Sequence, residues 1–132
     1  MKEPKMKEKI KILIVEDEVI IAMRFEIFFM RRGYEVFKTV ASGEEAVQIA
    51  EQEKPDIVLM DINLQGEMSG IEAAEKIVEQ FQIPIIFMTG YSDQNLRDEA
   101  AKVKPLGYFL KPINMYEVIS AIDKLEDEKS GE

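Results

Sequence analysis

Ile57-Val58-Leu59-Met60-Asp61-Ile62-Asn63 is an apolar run that ends on a carboxylate. An unbroken run of this kind is expected where helices cover both faces of a parallel sheet, so Asp56 to Met60 reads as a central buried strand with Asp61 at its mouth. Three other runs end in the same manner. Ile12-Leu13-Ile14-Val15 runs into Glu16-Asp17, Ile85-Ile86-Phe87-Met88 into Thr89, and Tyr108-Phe109-Leu110 into Lys111-Pro112. In a parallel sheet all four polar endings lie at one edge, around Asp61.

The segments between these runs read as helices. Glu18 to Arg32 carries Ile21, Phe25, Phe28 and Phe29 at helical spacing, and Gly33 stops it. Its methionines and aromatics are assigned to the core. Tyr34 to Thr39 is a second strand. Ser42 with Glu45, Ser69 with Glu72 and Asn114 with Glu117 have capping-box spacing, opening helices to about Glu53, Phe81 and Leu125. Pro55 prevents continuation of the first of these, and Pro84 begins the strand Ile85 to Met88. Gln94 to Val103 has a thin apolar stripe and is expected to be the least stable helix. Gly107 to Leu110 is the short last strand. Five strand-helix pairs imply right-handed crossovers and an α/β, doubly wound parallel sheet, which binds ligands beyond the carboxyl ends of its strands. The expected boundaries are a flexible lead over residues 1–10, one domain over 11–125 and a polar tail over 126–132.

Composition narrows the chemistry. The 132 residues suit one domain, and a net charge of -9 argues against direct nucleic-acid binding. No cysteine and no histidine are present, which removes disulfides, thiolate chemistry, imidazole ligands and histidine-activated nucleophiles. Val19 to Met30 is interrupted by Arg24 and Glu26 and is too short to span a bilayer, and the charged start lacks a signal-peptide apolar region. A soluble cytoplasmic protein without membrane insertion is expected.

Glu16, Asp17 and Asp61 would share one cleft. Two like charges about 4 Å apart cost about 4 kcal/mol at an effective dielectric of about 20, so the trio calls for a cation or shifted pKa values. Mg²⁺, with Mn²⁺ as the alternative, suits such oxygen donors and pairs naturally with a phosphate. A carboxylate can attack phosphorus if positive charge offsets the incoming oxygens; Lys111 supplies an ammonium and Thr89 a hydroxyl donor. Taken singly, Glu16-Asp17 also reads as a solvated turn, Asp61 as a loop cap, Thr89 as a turn start and Lys111 as a solvated edge. Strand alternation puts Tyr108 and Phe109 on opposite faces.

The whole set, Glu16-Asp17, Asp61, Thr89, Tyr108 and Lys111-Pro112, resembles the receiver domain of two-component response regulators over residues 11 to about 125. The resemblance implies a flavodoxin-like sheet of order 2-1-3-4-5 with five helices, and phosphorelay signalling. Asp61 would take a phosphoryl group from a sensor histidine kinase or phosphotransfer protein. Asp17 would bind Mg²⁺ directly, Glu16 through water, and the backbone carbonyl of Asn63 would complete the protein ligands. Thr89 and Tyr108 would form a coupled switch, the hydroxyl moving to the phosphoryl group while the ring turns inward. Lys111 would pair with the phosphoryl group, and its bond to Pro112 would be cis. Self-phosphorylation from small phosphodonors and slow autodephosphorylation would follow, with Asn63 and Tyr91 tuning the lifetime. The face of the fourth helix, fifth strand and fifth helix would carry output to an unknown partner or output domain, and is a candidate for dimerisation.

The sequence departs from the common pattern in a longer loop from Asp61 to Gly70, with Gly66 where proline is frequent, and in Gly90 after Thr89. A flavodoxin-like electron carrier shares the fold, but Glu16-Asp17-Glu18 would repel a flavin phosphate. An aspartate-nucleophile phosphatase needs a second acid two residues on, and Asn63 cannot donate that proton.

Overall fold

The computed structural model describes residues 9–130, with side chains to residue 125. Ten elements alternate: β1 (Lys11–Val15), α1 (Val19–Arg31), β2 (Glu35–Val40), α2 (Gly43–Glu53), β3 (Ile57–Asp61), α3 (Gly70–Phe81), β4 (Ile85–Thr89), α4 (Gln94–Ala101), β5 (Gly107–Leu110) and α5 (Met115–Ser130). All strand pairs are parallel, in the order β2-β1-β3-β4-β5. The chain leaves β1 for one side of the sheet and returns on the other as β3. The switch-point crevice therefore lies beyond the carboxyl ends of β1 and β3.

The two-residue period of the strands divides the core into two layers. Leu13, Val15, Val58, Met60, Ile85 and Phe87 face α2, α3 and α4; Ile12, Ile14, Ile57, Leu59, Ile86 and Met88 face α1 and α5. Tyr108 joins the first layer and Phe109 the second, as alternation requires. Ile10, assigned from sequence to the lead, is buried in the second layer, and its carbonyl accepts from Glu35 N at 2.9 Å. The rest of the expected lead, residues 1–8, lies outside the described residues.

Local chemistry sets the helix ends. Gly33, at φ +89°, closes α1: its N–H donates to Met30 O, and Tyr34 N donates to Phe29 O. Ser69 and Glu72 form a full capping box on α3. Ser42 accepts from Glu45 N, but the Glu45 carboxylate reaches Ala41 N at 3.3 Å, so the box on α2 is not reciprocal. Asn114 Oδ1 accepts from Tyr116 N at 3.0 Å. Asp93 caps α4. The last helix continues to Ser130, five residues beyond the expected Leu125, because the polar residues after it include no helix breaker before Gly131. One assignment is corrected in α1. Phe25 and Phe29 are buried, but Met23 and Met30 point outward, because the helix is apolar on two sides and only one can meet the sheet. Among the described residues, no helix is long and apolar enough to cross a membrane.

Candidate functional site

The sheet's own hydrogen bonds position the site. Glu16 follows β1 and its N–H donates to Val40 O at 2.9 Å; Ile62 N, after Asp61, donates to Met88 O at 2.9 Å; Lys111 N donates to Thr89 O at 2.7 Å. These bonds lock the residues at adjacent strand ends. Their side chains therefore meet.

Lys111 Nζ lies between two buried carboxylates, 2.9 Å from Glu16 Oε1 and 3.1 Å from Asp61 Oδ2. The other oxygens are also engaged: Asn63 N donates to Asp61 Oδ1 at 3.0 Å, and Glu18 N to Glu16 Oε2 at 3.1 Å. Asp17, half-buried, joins them; one oxygen from each of Glu16, Asp17 and Asp61 falls within 4.8 Å of the others. One ammonium faces three carboxylates, so the cluster is short of positive charge. Burial pushes the Glu16 carboxyl up to about 7; the Lys111 and Glu18 hydrogen bonds oppose this, and the Asp61 charge adds to it. Desolvation pulls the Lys111 ammonium down, but the hydrogen bonds and charges of Glu16 and Asp61 outweigh it and hold its pKa above the ordinary lysine value. The all-oxygen donor set and unbalanced charge fit a hard divalent cation such as Mg²⁺.

Thr89 is buried beside this cluster, yet its hydroxyl donates to Asn63 Oδ1 at 2.8 Å and accepts from Tyr91 N at 3.1 Å. The Tyr91 ring itself is exposed. Tyr108 packs against Phe87 with ring centroids 6.4 Å apart, and burial raises its phenol pKa, with Arg97 opposing and Asp93 assisting. The Lys111–Pro112 peptide is cis.

Residues 12–123 match the profile of the response regulator receiver domain family. The chain belongs to this family. The "Transcriptional regulatory protein PdtaR" of Mycobacterium tuberculosis is 34% identical over 113 residues, 86% of this chain and 55% of that protein. The chain thus spans about half the length of that relative. "Sporulation initiation phosphotransferase F" of Bacillus subtilis is 34% identical over 123 residues, 92% of this chain and 97% of that protein. Among solved structures, the signal receiver domain of a modulated diguanylate cyclase from Desulfovibrio desulfuricans G20 superposes with a TM-score of 0.87 at 34% identity, covering 95% of this chain and all of that one. Receiver domains are signalling switches of two-component systems that work with histidine kinases or phosphotransfer proteins and typically bind Mg²⁺.

The receiver site also depends on a residue that sequence reading passed over. Gly70 opens α3 directly behind Asp61, and a Cβ there would overlap the Asp61 carbonyl oxygen and lie 2.8 Å from Ile62 Cα. Its position between a capping serine and an apolar run was visible, but the close approach to β3 was not. The Asn63–Thr89 bond was also missed, since it links residues 26 apart whose meeting depends on the β3–β4 register.

Proposed function

We propose that the domain accepts a phosphoryl group on Asp61, in a Mg²⁺-dependent reaction, from the phosphohistidine of a partner kinase or phosphotransfer protein. The observation that carries this reading is the buried Asp61 carboxylate, hydrogen-bonded to Lys111 and clustered with Glu16 and Asp17. An Asp61 oxygen bonds to phosphorus as the donor's nitrogen–phosphorus bond breaks, and the donor nitrogen keeps that electron pair. Lys111, already hydrogen-bonded to Asp61, shifts that hydrogen bond to an incoming phosphoryl oxygen. Thr89 releases Asn63 and donates to another. Glu16, Asp17, Asp61 and the Asn63 backbone carbonyl would hold Mg²⁺, or Mn²⁺ in its place, and the ion would supply positive charge to the phosphoryl oxygens. Asn63 and Tyr91, both bonded to the Thr89 hydroxyl, are placed to tune how long the phosphoryl group survives.

The donor protein reaches this site along α1. Ile20, Met23, Ile27 and Met30, all between 48% and 73% exposed, recur at spacings of three, four and three, which is the seam a partner helix packs into. A groove of about 600 Å³ runs from this helix to Lys111, Pro112 and Met115, and Arg24 and Arg31 line it. The output leaves by the face of α4, β5 and α5, where self-association would also occur.

Intact-mass measurement after incubation with acetyl phosphate and Mg²⁺ tests the reading. The wild type should gain one phosphoryl group and Asp61→Asn none; an unlabelled wild type would remove Asp61 as acceptor. Release of many equivalents of phosphate per chain would favour a phosphatase instead.

A further inference from the structure

The Tyr108 ring is turned inward although its hydroxyl is buried with no hydrogen-bond partner among the described residues. An unpaired buried hydroxyl favours a conformation in which water can reach it. Space for such a turn exists alongside: a cavity of about 70 Å³ is bounded by Ser92, Asp93, Arg97, Tyr108 and Leu110. Something must therefore oppose the turn. The Phe87 edge contact supports the ring from the core side. On the other side, the Arg97 guanidinium lies 5.1 Å from the ring centroid, within cation–π range. Arg97 comes from α4, whose sole buried residue among those described is Ala100, and its contact with Tyr108 bridges α4 and β5 beside the partly buried Leu96.

We infer that Arg97 is a positioning residue that holds Tyr108 inward from α4, independently of where the Thr89 hydroxyl points. The two halves of the switch are separable on this view. Thr89 remains tied to Asn63 while Tyr108 already occupies its inward place. The inference rests on the reading of Asp61, Thr89 and Tyr108 as a phosphorylation switch, because holding the ring in the position favoured after phosphorylation makes phosphorylation easier. An exposed cation–π contact corresponds to about a two- to fivefold change in population.

The test measures nuclear Overhauser contacts between the Tyr108 and Phe87 rings in unphosphorylated protein, with Tyr108→Phe used to assign the tyrosine signal. Wild type and Arg97→Lys should show the contact. Arg97→Gln should show it weakened, and should be labelled by acetyl phosphate about two- to fivefold more slowly. A contact unchanged in Arg97→Gln overturns the assignment, as does an Arg97→Lys protein that loses as much as Arg97→Gln. The ring measurement needs no phosphate. Failure of the wild type to label would count against the phospho-acceptor reading and leave the ring result standing.

Discussion

Lys111 is the residue on which the resting site depends electrostatically. Glu16 and Asp61 are both buried, and Lys111 is hydrogen-bonded to each. Removing one partner of a buried ion pair costs about 3–5 kcal/mol, because the remaining charge is left uncompensated. Lys111→Met should therefore lower the stability of the metal-free protein by about that amount in urea unfolding, and saturating Mg²⁺ should recover much of it; a loss that Mg²⁺ leaves unchanged would count against metal binding at the acidic cluster. Asn63 acts in the opposite sense. Its side chain engages the Thr89 hydroxyl that the proposed phosphoryl group would need, and a hydrogen bond of this type is worth about 0.5–1.5 kcal/mol. Asn63→Ala should raise the phosphorylated fraction at limiting acetyl phosphate, read by intact mass, whereas an unchanged fraction would mean the bond imposes no cost. The difference in legibility between these residues is physical. Glu16, Asp61, Thr89 and Lys111 each end an apolar run, so the chain marks them; the Asn63–Thr89 tie exists only once β3 and β4 are in register.

Among the elements, four of the five strands were readable because each is a short apolar run with a polar stop, and three helix starts because their capping residues are local; β2, which mixes Glu35, Lys38 and Thr39 with its apolar residues, carries no such stop. Which side of a helix is buried is a different matter. In α1 the stripe Ala22, Phe25 and Phe29 packs inward and the stripe Ile20, Met23, Ile27 and Met30 faces out, yet both are apolar at the same period. Periodicity alone cannot choose between them. The α3 start shows a related limit: its serine and glutamate announce the cap, but only the fold shows that Gly70 touches the β3 backbone. Because the obstruction is backbone, Gly70→Ala should fall at the upper end of the about 1–3 kcal/mol typical of overpacking, and should slow labelling of Asp61 by displacing it. Wild-type urea stability would show that the contact relaxes freely. The thin stripe foreseen for α4 matches its sole described buried residue, Ala100, against five in α3. Amides of residues 94–101 should exchange with deuterium sooner than those of α3.

For the whole molecule, the two layers set the proposed donor surface on α1 apart from α4, while α5, part of the proposed output face, shares the α1 layer. The sheet divides α1 and α5 from α2, α3 and α4, and at its carboxyl edge Lys111, just after β5, meets Asp61 at the end of β3. A donor protein docking along α1 therefore does not cover the Arg97–Tyr108 contact on α4. The chain carries a net charge of -9, yet Arg24, Arg31 and Arg32 line the groove beside Lys111, so the proposed docking side of α1 is locally positive on an acidic protein. Such an arrangement attracts a helix whose apolar seam is flanked by acidic residues and repels one flanked by lysines. Charges at an interface rim act mainly on association rate, and screening reduces them when salt shortens the Debye length to about 10 Å or less. Arg24 and Arg31 do not contact Asp61 or the acidic cluster in any hydrogen bond or ion pair found among the described residues. Acetyl phosphate, which needs no docking helix, should therefore label Arg24→Glu/Arg31→Glu at the wild-type rate. For any phosphorylated histidine kinase that labels the wild-type chain, the same double variant should receive the phosphoryl group at least several-fold more slowly at low salt, with the difference shrinking as salt is added. Equal transfer from the kinase at low salt would move the docking surface away from α1. Equal slowing with acetyl phosphate would mean that the arginines act on the acceptor site and not on the partner.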